Sequence, residues 1–201
     1  TGSEGMAKAP VARYWHGYLL FLKPLLLFLS YIDIRMVLTL AEGARLTING
    51  TLSVSGGSLR VQSVEDGVDS IGDVSISGGM VEIRSSRDGI QSGEANSGRG
   101  SVLVSGGTVL VDAGKLSFNP RGELNISGGV VLALGGSEKN LPGRGFAQQS
   151  WDGVRGSELS LSRDGAVRAA LRSQYGFRSV LAGVHDGAYS LTDGTKTVEI
   201  G

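Results

Sequence analysis

The sequence predicts an all-β protein: a short right-handed parallel β-helix of about 22 residues per coil, with an apolar N-terminal segment and a small antiparallel C-terminal β module. Three observations carry this. Ser-Gly-Gly recurs at 55–57, 77–79, 105–107 and 127–129. Apolar residues around it fall into fixed columns. Glycine makes up 33 of 201 residues while only 6% are aromatic, which suits thin stacked strands better than a thick core.

Counted from the second glycine, two residues on come Leu59, Val81, Val109 and Val131; four on come Val61, Ile83, Val111 and Ala133. Three before it lie Val54, Ile76, Val104 and Ile126, and five before it Leu52, Val74, Val102 and Leu124. Eleven after it come Val68, Ile90 and Phe118. Alternation at period two, repeated at a longer fixed interval, means short strands that each show one face to a shared interior. One coil cannot bury that face alone, so coils must stack about 4.8 Å apart. The Gly-Gly pairs fit sharp corners. The longer interval between the second and third repeats places an insertion in one turn, 93–101, of the kind that often carries function.

The chain divides into an apolar segment over 1–40, the β-helix over 41–136, a Ser-, Gly- and Gln-rich linker over 137–156, and the module over 157–201. Within the first, the run 18–30 is interrupted by Lys23 and Pro24 and is too short for a membrane-spanning helix. It reads either as the core of an export signal, with Lys8, Arg13 and His16 before it, or as a cap on the open end of the stack. The start at Thr1 suggests a fragment. In the module, alternating residues flank Asp164-Gly165, a strong hairpin signal. The module is expected to pack on the last coil and close that end.

Lysine plus arginine and aspartate plus glutamate number 19 each, so no basic surplus points to nucleic acid. With no cysteine there are no disulfides and no thiolate metal sites, and the two histidines, His16 and His185, give a His-based centre little material. Trp15 and Trp151 read as packing residues or sugar platforms.

One column is unusual. Nine residues after the second glycine come Asp66 and Asp88, each followed by glycine; the next coil has Leu116 there. On adjacent coils two carboxylates would lie about 5 Å apart and repel by roughly 3 kcal/mol at an effective dielectric near 20. A calcium ion would relieve this, with Asp69, Glu65, Asp73, Glu94 and Asn96 able to add oxygens. The alternative is a structural Asp-Gly corner with Arg87 as counter-charge.

The repeated Glu/Arg-Asp-Gly-Val/Ile-x-Ser at 65–70 and 87–92, followed by Val/Ile-Ser-Gly-Gly, resembles a bacterial carbohydrate-binding β-helix family, cellulose- and pectin-binding and related in fold to polysaccharide lyases. The segments 146–150, 160–165 and 189–191 are similar to the order of that family's C-terminal part, so the resemblance covers about residues 42–201. It implies an exported, extracellular or surface protein with calcium in its turns. Its partner would be an acidic or cellulosic plant cell-wall polysaccharide, bound without cleavage. Asp66 and Asp88 carry over as candidate calcium ligands, with Asp69 beside them; Arg60, Arg84, Arg87, Glu94 and Asn96 are the candidate carbohydrate contacts. Two alternatives stand: a pectate-lyase-like enzyme using Arg84 or Lys115 as base, and a structural surface or adhesin segment.

Overall fold

The computed structural model describes residues 31–34, 37–39, 43–95, 98–137 and 139–201. These are all β, without a helix among them. In chain order the strands are β1 (Tyr31–Ile34), β2 (Val37–Thr39), β3 (Leu46–Ile48), β4 (Thr51–Ser63), β5 (Val68–Ser70), β6 (Val74–Ser85), β7 (Ile90–Ser92), β8 (Val102–Ala113) and β9 (Phe118–Pro120). There follow β10 (Leu124–Gly135), β11 (Gly143–Arg144), β12 (Phe146–Gly153), β13 (Glu158–Arg163), β14 (Ala166–Arg172), β15 (Phe177–Gly183), β16 (Tyr189–Thr192) and β17 (Thr197–Ile200).

The long strands β4, β6, β8 and β10 stack in parallel, and the short strands β3, β5, β7 and β9 stack beside them as a second parallel sheet. Registers follow the sequence columns, as in Leu52↔Val74 and Val74↔Val102. Each long strand bends at its Ser-Gly-Gly, where the register shifts, so every coil presents three inward faces. The column residues from Leu52 to Ala133 are buried in one core with Val68, Ile90 and Phe118. Small inward residues fill the narrow corners: Ser63, Ser85 and Ala113 are buried at successive rungs.

Glycine is demanded at the bend for two separate reasons. Gly79, Gly107 and Gly129 have φ of 80°, 82° and 83°, a region costly for any residue with a Cβ. Their partners Gly78, Gly106 and Gly128 lie so close to the coil below that a Cβ would come within 2.7, 2.4 and 2.3 Å of a carbonyl oxygen. The two ends of the inserted turn are held together at its base. Ser92 Oγ donates to Gly100 O at 2.8 Å, Ser101 N donates to Asp73 Oδ1 at 2.7 Å, and the ladder resumes with Val74 N donating to Ser101 O.

On the first leg of β10 the two-residue β11 adds a parallel pairing, and on the second leg the stack stops because the neighbour runs backwards. β15 pairs antiparallel with the second leg of β10, and β12 pairs antiparallel with β15. Leu181, Leu141 and Phe146 pack against the solenoid core at this end. Residues 146–153, polar enough to read as linker, are therefore a strand; only Trp151 within it is fully buried, so it carries no apolar alternation.

Strands β1, β2 and β11 join the large sheet, and the other four form a third sheet in the order β14-β13-β16-β17. The hairpin at Asp164-Gly165 forms with φ of 52° and 74°, matching a type I′ turn. This sheet docks on the flank of the solenoid rather than over its end. Leu159, Leu161, Leu171, Tyr189, Leu191 and Ile200 share a second core with the outward-facing Leu132 and Leu134 of β10 and with Trp151, Phe177 and Val180.

Candidate functional site

The two aspartates of the Asp-Gly column are stacked, and their oxygens meet N–H donors. Asp66 Oδ1 accepts the main-chain N–H of Asp88 at 3.1 Å, and Asp88 Oδ1 accepts that of Leu116 at 3.2 Å. Asp88 Oδ2 accepts from Asn119 Nδ2 at 2.7 Å, and Arg87 Nε stands 3.8 Å from Asp66 Oδ1. The glycines beside them let the corner approach the opposite wall: a Cβ on Gly67 would lie 2.4 Å from Ile83 Cγ2 and one on Gly89 2.3 Å from Val111 Cγ1.

Asp69 belongs to another column, in register with Gln91 and Asn119 on the short sheet. Gln91 Nε2 donates to Asp69 Oδ1 at 3.1 Å, and Lys139 Nζ donates to Asn119 Oδ1 at 2.7 Å. An ammonium and two amide groups thus line the short-sheet column beside Asp88. A calcium ion needs six to eight converging oxygens. Three of the four carboxylate oxygens of Asp66 and Asp88 already face N–H groups, and among the described residues no cluster of three or more acidic, histidine or cysteine side chains is arranged for a metal ion. In this arrangement those three oxygens cap N–H groups of the neighbouring coil and of Asn119.

The arginines proposed for carbohydrate divide in the same way. Arg60 Nη2 and Arg84 Nε both bind the Glu82 carboxylate, at 2.7 and 3.1 Å, and Arg84 Nη1 donates to Arg172 O at 3.2 Å. Arg84 is thereby built into the seam with β14. Arg87 is at the Asp-Gly corner beside Asp66, and Glu94 is exposed in the inserted turn; Asn96 lies outside the described residues.

A different set of side chains converges where the end of the stack meets β12 and β15. A hollow of about 610 Å3 is lined by Asp152, Val154, Arg155, Tyr175, Phe177 and Arg178, with Gly114 and Gly136 of two successive coil corners in its lining. Tyr175 and Val154 are exposed there, at 37% and 75%. Arg155, Arg178 and Asp152 are exposed and make no side-chain hydrogen bond or ion pair within the described residues.

Local structure fixes this wall. Ser173 Oγ accepts the N–H groups of Tyr175 and Gly176, at 3.3 and 2.9 Å, and itself donates to the buried Asp112. Gly176 takes a φ of 79° to complete the turn. Next to the hollow, Asp193 Oδ1 accepts from Thr195 N and Lys196 N, which holds its carboxyl well below the usual range and sets Lys196 Nζ 4.4 Å over the Trp151 ring. Trp151 is buried, and its Nε1 donates to Asp193 Oδ2 at 3.0 Å, so it supports the wall while Tyr175 is the exposed ring.

Sequence reasoning missed these residues because they come from three separated segments, one of them read as linker. No solved structure and no curated protein matches the chain. The family described as "Carbohydrate-binding domain-containing protein" matches residues 40–197. With the stacked coils, the closing strands and most of the flanking sheet inside that match, the chain belongs to this family of carbohydrate-binding domain-containing proteins.

Proposed function

We propose that the chain is a non-catalytic module that binds a plant cell-wall type polysaccharide, acidic or cellulosic, in the hollow beside Tyr175. One observation carries the reading: an exposed aromatic ring stands beside two guanidinium groups and a carboxylate whose hydrogen-bonding capacity is unused within the described residues. A sugar ring offers an apolar C–H face and a rim of hydroxyls, so it needs a ring to stack on and directional donors and acceptors around it. Glycine corners in the lining let it approach the backbone closely.

The lyase alternative gains less support. Arg84 is bound to Glu82 and to the Arg172 carbonyl, so its guanidinium is committed to the seam and does not face an open site. Lys115 is exposed on a coil corner. The oxygens of the Asp66/Asp88 step cap N–H groups from coil to coil, and binding is placed in the hollow instead. A wall polysaccharide as ligand puts the place of action at the cell surface or outside the cell.

Affinity electrophoresis and pull-down with polygalacturonate and with cellulose test the proposal, each run with calcium and with a chelator. Retention by at least one polymer, without the ultraviolet absorbance of an unsaturated product, is expected. Release of that product would replace the module with a lyase, and no retention by either polymer would remove the reading.

A further inference from the structure

The hollow beside Tyr175 continues along the whole of one strand. A second hollow of about 430 Å3 shares Gly136, Asp152 and Arg178 with it and adds Ser150 and Lys196. A third, of about 350 Å3, shares Ser150 with the second and is lined by Lys139, Asn140, Gln148 and Gln149. All three follow β12 and the residues just after it. Among the described strands β12 ends the strand order of the large sheet and pairs with β15, so it forms that sheet's edge. From Gln148 to Arg155 the track is roughly 25 Å long at about 3.3 Å per extended residue.

Its charge is one-sided. Arg155, Arg178, Lys196 and Lys139 lie along it, and Asp152 is the one acidic side chain among its described lining residues. The whole chain is balanced at 19 basic and 19 acidic residues, so this row is a local concentration and not a reflection of composition. The two ends also differ: one has an aromatic ring and two arginines, the other amides and a lysine.

Resting on the polysaccharide-binding reading above, we infer that this track seats one linear, carboxylate-bearing polysaccharide along β12. Arg155 and Arg178 take uronate carboxylates in paired N–H contacts beside a ring stacked on Tyr175, and Lys139 meets a carboxylate further along the same chain. Short oligomers occupy the arginine end; only longer ones reach Lys139.

Isothermal titration of the full chain with oligogalacturonates of increasing length, their methyl esters and cello-oligosaccharides tests this, in the presence of a chelator. The double variant Arg155→Gln with Arg178→Gln is expected to weaken binding of every acidic oligomer by about tenfold or more, with its melting temperature unchanged since both side chains are exposed. Lys139→Gln is expected to weaken long acidic oligomers and leave short ones unaffected. Arg168→Gln, exposed on β14, serves as a control that leaves binding as it was. Wild-type binding that neither arginine nor lysine substitution alters would overturn the track while leaving the polysaccharide reading in place. Equal wild-type affinity for acidic and methyl-esterified oligomers would overturn the carboxylate assignment. No binding to any glycan would remove the reading on which the track rests.

Discussion

Ser173 Oγ donates a 2.8 Å hydrogen bond to Asp112 Oδ1 across the seam between the solenoid and the C-terminal sheet. Gln174 N donates to the other oxygen at 2.5 Å, and Arg84, one coil away in the same column, faces the carboxylate. Asp112 is fully buried, so one group on β8 holds the turn that carries Tyr175.

This seam should respond to pH with a definite sign. Burial pushes the Asp112 carboxyl above its ordinary 3.8, more than the hydrogen bonds of Gln174 and Ser173 and the Arg84 charge pull it down. The folded protein then keeps a proton in a range where the unfolded chain has released it. Stability from this group is present below the unfolded value and is lost as pH rises through the raised one. Melting temperatures of wild type and Asp112→Asn, compared from about pH 4 upward, should diverge in favour of the variant as pH rises. A constant difference across the range would contradict this.

The bends offer a controlled comparison between two glycines with similar backbones. Gly165 has a φ of 74° and open space where a Cβ would be; Gly107 has 82° and would place a Cβ 2.6 Å from Gly79 O. Gly165→Ala should cost about 1–2 kcal/mol, the left-handed strain alone. Gly107→Ala adds a steric conflict with the coil below and should cost roughly 3 kcal/mol or more. Urea unfolding of both variants measures the gap, and equal costs would show that the stack yields at its corner.

At the Asp-Gly column, Asp88→Ala removes the acceptor for Leu116 N and Asn119 Nδ2 at a site where the aspartate is 4% exposed. Leaving those donors without a partner should cost roughly 2–4 kcal/mol in chemical denaturation. Calcium and chelator should both leave the wild-type melting temperature where it is. A calcium-dependent rise lost in Asp88→Ala would show that these oxygens rearrange around the ion.

The docking of the flanking sheet can be undone by restoring an earlier coil's residue. The outward column reads Arg60, Glu82, Leu110, Leu132. Leu132→Arg puts a charge into the second core and should destabilise by about 4 kcal/mol or more, or release the C-terminal sheet while the solenoid stays folded. Limited proteolysis cutting first within 157–201 would identify release. A variant as stable and resistant as wild type would show that the sheet does not depend on this face.

Much of the solenoid could be read directly. The column residues, the corners, the insertion at 93–101 and the Asp164-Gly165 hairpin were legible because each is local or repeats. A signal for the docked sheet was present too, in the change from Arg60 and Glu82 to Leu110 and Leu132 on the outward face. The site was not legible. Asp66 and Asp88 stand out in the sequence, yet their spacing also suits main-chain capping from coil to coil, and spacing alone does not separate capping from cation binding. Arg60 and Glu82 share an outward column that already suggests a surface pair, and the structure adds Arg84 to the same carboxylate.

The sequence by itself determined the stacked coil, because a repeat that must bury one face and tolerate no Cβ at its bends has few other solutions. Tertiary structure decided where the stack ends and what lies beside it. Antiparallel pairing of β15 with β10 brings Ser137, Lys139, segments 148–155 and 175–178 and Lys196 to one edge. No period links those segments, since their proximity comes from one reversal of chain direction and not from a repeated pattern.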